Sequence, residues 1–284
     1  MDKDKKRGLS MYISPFTYTV RYPKKQSEHM VQIKKKYSPL LDENYLYREK
    51  TFSWKFKNFW LNILLNLAVI PVTNIRYAVR VEGRKNLRLY KKELKNGFVS
   101  VSNHICEWDF LALLSAMYPR KAFFPIWSRN METPMAPIFK TIGGIPVPLN
   151  ARAAHHFIKA MDSVLEEKKW LHVYAEGSMW FFYPAVRQFQ NGAFFFAVRH
   201  QLPVLPLAIS YREPKGIYRL FKKHPNLTVH IGKPLFPDPA LKRKEAEQEL
   251  CARVRKEVML LMGIKSEEEN ENYMKLYSPE IPEA

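Results

Sequence analysis

The segment Val101-Ser102-Asn103-His104-Ile105-Cys106-Glu107-Trp108-Asp109 gathers a histidine, a cysteine and two carboxylates in one short stretch. Three chemistries are open to such a set. His104 can act as a general base oriented by Asp109, Cys106 can act as a nucleophile, or the group can share a metal. His155, His156 and His200 stand at no spacing that completes a metal set, so no metal and no organic cofactor are called for. His104 and Asp109 are five residues apart, about 500° around a straight helix, and would not share a helical face. They meet if His104 lies in a turn and Asp109 in the first turn of the helix behind it, with Ser102 or Asn103 as the cap. Asp109 then holds the ring N–H, fixes the tautomer and stabilises the imidazolium that forms when His104 takes a proton. The alternative is a surface histidine near a helix start.

The flanking residues supply such a turn. Gly97-Phe98-Val99-Ser100-Val101 is β-prone, and Phe110-Leu111-Ala112-Leu113-Leu114 is an apolar helical run. Further strands are expected at 77–81, 122–127, 145–148, 171–175, 204–209 and 227–231. Helical patterns lie between them, clearest where Ala154, Phe157, Ile158, Met161 and Leu165 share one face. This alternation predicts an α/β fold, a mostly parallel central sheet flanked by helices, over residues 77–262. Chemistry in such sheets gathers at the carboxyl ends of the strands, where His104 falls. Residues 240–262 read as a closing helix, and 263–284 as an acidic tail.

The formal charge of +19 directs the chain toward polyanions. No zinc-finger spacing, RNA-recognition signature or phosphate loop is present, so nucleic acid is not the expected partner. An anionic membrane surface and acidic substrates remain. Residues 1–50 form a basic arm with interleaved aromatics, among them Lys3, Lys34, Tyr12, Phe16 and Tyr37. Residues 51–76 follow as an N-terminal amphipathic, membrane-associated helix in which Asn58, Asn62 and Asn66 draw one polar stripe. Pro71 is expected to end it, which leaves an apolar run too short to span a bilayer comfortably. The helix is therefore expected to lie in the interface, or else to pack on the domain's own core. Arm and helix together predict a peripheral or monotopic protein on the cytoplasmic face. Cys106 and Cys251 suggest no disulfide framework, and no signal peptide is visible.

Four blocks in order then carry a resemblance. Asn103-His104-x-x-x-x-Asp109, Gly143-Gly144-Ile145-Pro146-Val147, Tyr174-Ala175-Glu176-Gly177-Ser178 and Leu202-Pro203-Val204-Leu205-Pro206-Leu207 resemble the signature of the glycerolipid and lysophospholipid acyltransferases. The resemblance implies transfer of a fatty acyl group from acyl-CoA or an acyl carrier protein to a hydroxyl of a lysophospholipid, with His104 as base. It further implies substrate contacts at Gly144, Glu176, Gly177, Ser178 and Pro206, with Glu176 hydrogen-bonded to acceptor hydroxyls. The family usually has an arginine after the third block to hold an acceptor phosphate, where this chain has Met179-Trp180. Arg187, with Arg152 as second choice, is the expected replacement. A hydrolase using water on the same site, and a non-catalytic basic membrane- or nucleic-acid-binding protein, are the competing functions.

Overall fold

The computed structural model describes residues 22, 23, 25, 26, 28–30, 41, 42, 44–215 and 225–277. All seven expected strands form: β1 (Arg80–Glu82), β2 (Phe98–Ser102), β3 (Ala122–Ile126), β4 (Gly144–Pro146), β5 (Trp170–Tyr174), β6 (Val204–Arg212) and β7 (Asn226–Ile231). They make one sheet in the order β1-β7-β6-β2-β5-β3-β4. The five strands from β6 to β4 run parallel, β7 is antiparallel to β6, and β1 follows β7. The sheet is thus mixed but mostly parallel. Every residue of β2 is buried, as expected of a strand covered by layers on both faces.

A helical segment precedes the sheet: α1 (Phe52–Leu64), a π-helical turn (Leu65–Val69) and α2 (Ile70–Tyr77). The other helices are α3 (Lys85–Leu89), α4 (Lys91–Leu94), α5 (Asp109–Met117), α6 (Ala136–Thr141), α7 (Ala151–Glu166), α8 (Phe195–His200), α9 (Arg243–Leu261) and α10 (Glu267–Tyr277). One core joins sheet residues Val99 and Leu171 to Met161 and Leu165 of α7, Ala197 of α8 and Val254 of α9. The other joins Leu205 and Val229 to Leu113, Ala116 and Met117 of α5. Met161 and Leu165 lie on the face that the spacing of α7 marks as apolar, and Asn150 caps that helix by accepting the Arg152 N–H.

Three expectations are corrected. Pro71 does not end the first helix. Proline lacks an N–H and its ring crowds the carbonyl one turn back, but the π turn immediately before it widens the helix, and the Thr73 hydroxyl donates to the Val69 carbonyl. The segment therefore runs 26 residues, Phe52–Tyr77, which at 1.5 Å per residue is about 39 Å and long enough to cross a bilayer. One face is fastened to the domain. Leu65 and Ile70 pack with Leu111, Asn58 donates to the Thr141 carbonyl near one end, and Asn74 donates to Ser115 Oγ at 2.9 Å near the other. Phe52, Phe59, Trp60, Leu67 and Ile75 stand exposed on the remaining surface.

The arm is not a free surface element throughout. Tyr47 is buried with its hydroxyl on the Leu41 carbonyl, and Arg48 forks onto Glu167 at the end of α7. Lys3, Tyr12, Phe16, Lys34 and Tyr37 lie outside the described residues. Nor is 263–284 a tail up to residue 277. α10 docks because Asn270, fully buried, accepts the Val186 N–H and donates to the Val186 carbonyl. Residues 278–284 lie outside the described residues.

Candidate active site

β2 delivers the Asn103-His104 turn to the carboxyl edge of the sheet. Asn103 does not cap α5; its side chain donates to the Ile209 carbonyl and accepts the Ile209 N–H, both at 2.9 Å, and so pins the end of β2 to β6. Ser102 donates to the Asn103 carbonyl. The helix begins at Asp109 without a side-chain cap, and the Asp109 carboxylate accepts the Ile105 and Cys106 N–H groups of the turn before it. Its Oδ2 accepts the Ile105 N–H at 2.8 Å and lies 2.7 Å from His104 Nδ1. Burial would raise the Asp109 pKa, but the charge of His104 and hydrogen bonds from His104, Tyr174 and Ile105 hold it below the usual carboxylate value. An ionised Asp109 only accepts, so Nδ1 carries a ring proton, and in the neutral imidazole the lone pair lies on Nε2.

Tyr174 is a site residue that sequence reasoning passed over. Its hydroxyl donates to Asp109 Oδ1 at 2.5 Å, and its ring stacks on the His104 imidazole, with centroids 3.8 Å apart. The visible signal is a tyrosine at the end of β5, two residues before Glu176. Cys106 is buried, and burial pushes its thiol well above the ordinary value, which argues against a thiolate nucleophile.

Glu176 and Arg187 are corrected. The Glu176 carboxylate is 3% exposed and accepts the His104 N–H at 3.2 Å and the Arg187 N–H at 3.0 Å. It fixes the backbone of the His104 turn, and both its oxygens have partners inside the protein. Arg187 is fully buried, with its guanidinium on Glu176 at 2.8 Å, on the Ser178 hydroxyl and carbonyl, and on the Gln26 carbonyl. With its charge paired and four donors spent inside the protein, it does not present a fork to a phosphate. Ser178 is likewise buried, bonded to Arg187 and to the Gln26 carbonyl.

The remaining expected residues divide. Gly177, exposed in the turn after β5, has φ +74°, a conformation that favours glycine. Gly144 opens β4 and lies against the Phe139 carbonyl, so packing accounts for it. Pro206 lies in β6 one residue before its first pair with β7 (Leu207 with Ile231), pairs with Val101 of β2 and accepts the Gly232 N–H, so its place in the sheet accounts for it. Arg152 is exposed in the first turn of α7, on the carboxyl edge of the sheet. No group of three histidine, cysteine or acidic side chains assembles a metal site among the described residues.

Part of the arm completes this face. Trp180 donates its backbone N–H to the His104 carbonyl and its indole N–H to the Glu28 carbonyl. Phe181 N–H points at Met30 Sδ, and Tyr22 donates to the Phe181 carbonyl. Tyr22, Gln26, Glu28 and Met30 thus lie alongside the stretch that itself borders the His104 turn. His29 stacks on Trp127, just past β3, with centroids 4.4 Å apart. Burial, then the positive charge of His104 and Arg187, hold its imidazole below the usual histidine value.

Residues 78–210 match the model of the Acyltransferase family. These residues form an acyltransferase domain. The match spans β1 to β6 and contains the His104–Asp109 pair and all four blocks, while the helical segment 52–77, β7, α9 and α10 lie outside it. No curated protein sequence matches the chain. Among solved structures, the chain resembles the 1-acyl-sn-glycerophosphate (LPA) acyltransferase PlsC from Thermotoga maritima, with 18% identity and a TM-score of 0.48 over 74% of this chain and 87% of that one.

Proposed function

We propose that the acyltransferase moves a fatty acyl group from an acyl thioester, acyl-CoA or acyl carrier protein, to a hydroxyl of a lysophospholipid. The observation that carries the reading is the His104–Asp109 pair at the strand end, with Nδ1 spent on the carboxylate and the His104 side chain 23% exposed. Nε2 removes the acceptor hydroxyl proton as its oxygen attacks the thioester carbonyl. The tetrahedral intermediate collapses by breaking the C–S bond, and the thiolate leaves with the proton from the imidazolium. Asp109 stabilises that imidazolium, and no acyl-enzyme is needed. With Arg187 internal, Arg152 and His29 are the groups left to meet an acceptor headgroup.

The helix Phe52–Tyr77 supports a monotopic placement, and the formal charge of +19 favours the anionic cytoplasmic face. Its two ends are tied to α5 and α6 through Asn74 and Asn58, so threading it across a bilayer would tear it from the domain or drag polar surface into lipid. Its exposed aromatic and aliphatic side chains suit the interface.

The deciding experiment supplies purified full-length protein with acyl-CoA or acyl carrier protein, with and without lysophospholipid. Thiol release that depends on lysophospholipid and yields diacyl product supports transfer. Release at the same rate without acceptor points to a hydrolase, and lipid binding with no turnover points to a non-catalytic protein.

A further inference from the structure

At the opposite edge of the sheet from His104 lies a cleft of about 470 Å³, between α1 and the amino ends of β2, β3 and β5. Its lining holds six cations, Lys91, Lys95, Arg120, Lys121, Lys168 and Lys169, and no carboxylate. The nearby Glu167 is already shared by Arg48, Lys50 and Lys169. Lys91 and Lys95 are one helical turn apart, a spacing at which like charges repel. Burial, and then the charge of Lys169, hold the Lys121 amine below the usual lysine value. Apart from Lys169, which Glu167 pairs, the cleft gathers positive charge with no carboxylate in its lining.

Two further observations point to a ligand. The residue just past the end of α7, a place helices often give to glycine, is Lys168 with φ +56°, so a left-handed conformation is accepted where a lysine reaches the rim. Trp54, on the α1 wall, has an indole N–H shielded from solvent with no acceptor. The floor is apolar, built from Leu94, Phe98, Phe123 and Trp170. Asn58 and Asn62 of the polar stripe line the same cleft.

We infer that this cleft is a binding site for the headgroup phosphate of an anionic phospholipid, separate from the acyl-transfer site. Cations on the rim meet the phosphate, and the apolar floor receives the glycerol and the first acyl carbons. The choice of a lipid over a soluble anion rests on α1. The helix that walls the cleft carries Phe52, Phe56, Phe59 and Trp60 exposed on its outer side, so the interface that receives those rings sets the cleft at headgroup depth. The inference thereby rests on the membrane placement proposed above.

The test uses full-length protein and vesicles of phosphatidylcholine with and without phosphatidylglycerol. The variant Lys91→Gln/Lys95→Gln/Lys121→Gln is compared with Lys242→Gln/Lys244→Gln/Lys256→Gln, which removes the same charge from exposed positions at α9. The cleft variant should lose at least 10-fold more of the phosphatidylglycerol-dependent affinity than the α9 variant, with binding to pure phosphatidylcholine unchanged. Equal losses in the two variants would mean diffuse attraction to the net charge and overturn the site. So would unchanged vesicle binding alongside lost transfer from acyl carrier protein, which would mark the cleft as a docking surface for an acidic protein. Inorganic phosphate that saturates the cleft, read from tryptophan fluorescence, without displacing the enzyme from anionic vesicles would assign a soluble anion instead. If the wild-type protein binds no vesicle of either kind, the membrane placement fails, and the inference with it.

Discussion

Tyr174 holds Asp109 from one side while lying flat against His104 on the other, so one side chain braces both members of the His104–Asp109 pair. The hydroxyl fills the carboxylate oxygen that His104 does not use, and the ring limits rotation of the imidazole. Tyr174→Phe keeps the stack and removes the hydrogen bond to a charged group, a change worth roughly 1.5–3 kcal/mol. We expect kcat to fall about 10-fold or more with little change in either KM, measured as thiol release with saturating acceptor. Tyr174→Ala should fall further because the ring is also lost.

His104→Ala should lower transfer by roughly 10²–10⁴-fold, the usual loss of a general base. Asp109→Asn should be nearly as severe, since an amide can present N–H to Nδ1 and leave the ring in the wrong tautomer. Both are to be read beside thermal unfolding, and near-normal turnover in a folded His104→Ala protein would sink the mechanism.

Arg187→Ala should behave as a structural lesion. It strips the partner from Glu176, a carboxylate that is 3% exposed, and breaking such a buried pair costs roughly 3–5 kcal/mol. Because Glu176 accepts the His104 N–H, kcat should drop as the catalytic turn loosens. Acceptor KM should stay within a few-fold. A selective rise in acceptor KM at unchanged melting temperature would restore Arg187 as a headgroup contact.

The acceptor contact should respond at other positions. Arg152→Ala removes an exposed cation from the carboxyl edge, and His29→Phe keeps the stack on Trp127 while deleting the imidazole nitrogens. If the acceptor headgroup meets these groups, each change should raise acceptor KM about 3–10-fold and leave donor KM alone, as for one lost hydrogen bond. Unchanged acceptor kinetics in both single variants and the double would remove them from the site.

Much of this was legible in the sequence because it rests on local signals. The seven strands are short β-prone runs between turn residues, and the His104–Asp109 spacing makes sense only at a strand–helix turn. What escaped depends on contacts distant in sequence. Nothing near Arg187 announces that Gln26, 161 residues away, will take its guanidinium. The continuation of the helix past Pro71 depends on a π turn and on Thr73, a local arrangement that a rule about proline alone misses. The docking of α10 uses Asn270, the core contact of Tyr273 and the Arg255–Glu267 pair, all set against residues distant from an acidic-looking segment.

The buried His172 yields a prediction about stability. Trp170 Nε1 donates to Ser100 Oγ at 2.5 Å, which leaves the Ser100 hydroxyl proton for His172 Nδ1 at 2.8 Å, while Nε2 faces Ser102 Oγ at 3.4 Å. A second ring proton would require the Ser100 hydroxyl to turn its own proton away, and burial depresses the pKa to about 3 from an ordinary value of 6.5. The unfolded chain therefore binds a proton near pH 6.5 that the folded one refuses until about pH 3. Stability from this group is complete above pH 6.5 and is lost as pH falls toward 3, by about 1.4 kcal/mol per pH unit. Asp109, with its lowered pKa, acts in the same sense at the acid end of that range, and half-buried His29 adds a smaller effect near its top. His172→Gln cannot titrate, so urea unfolding of the variant between pH 7 and pH 5 should show a slope shallower than wild type by up to that amount. Parallel slopes in the two proteins would mean that His172 is protonated in the fold, and would overturn the hydrogen-bond chain from Trp170 to Ser102.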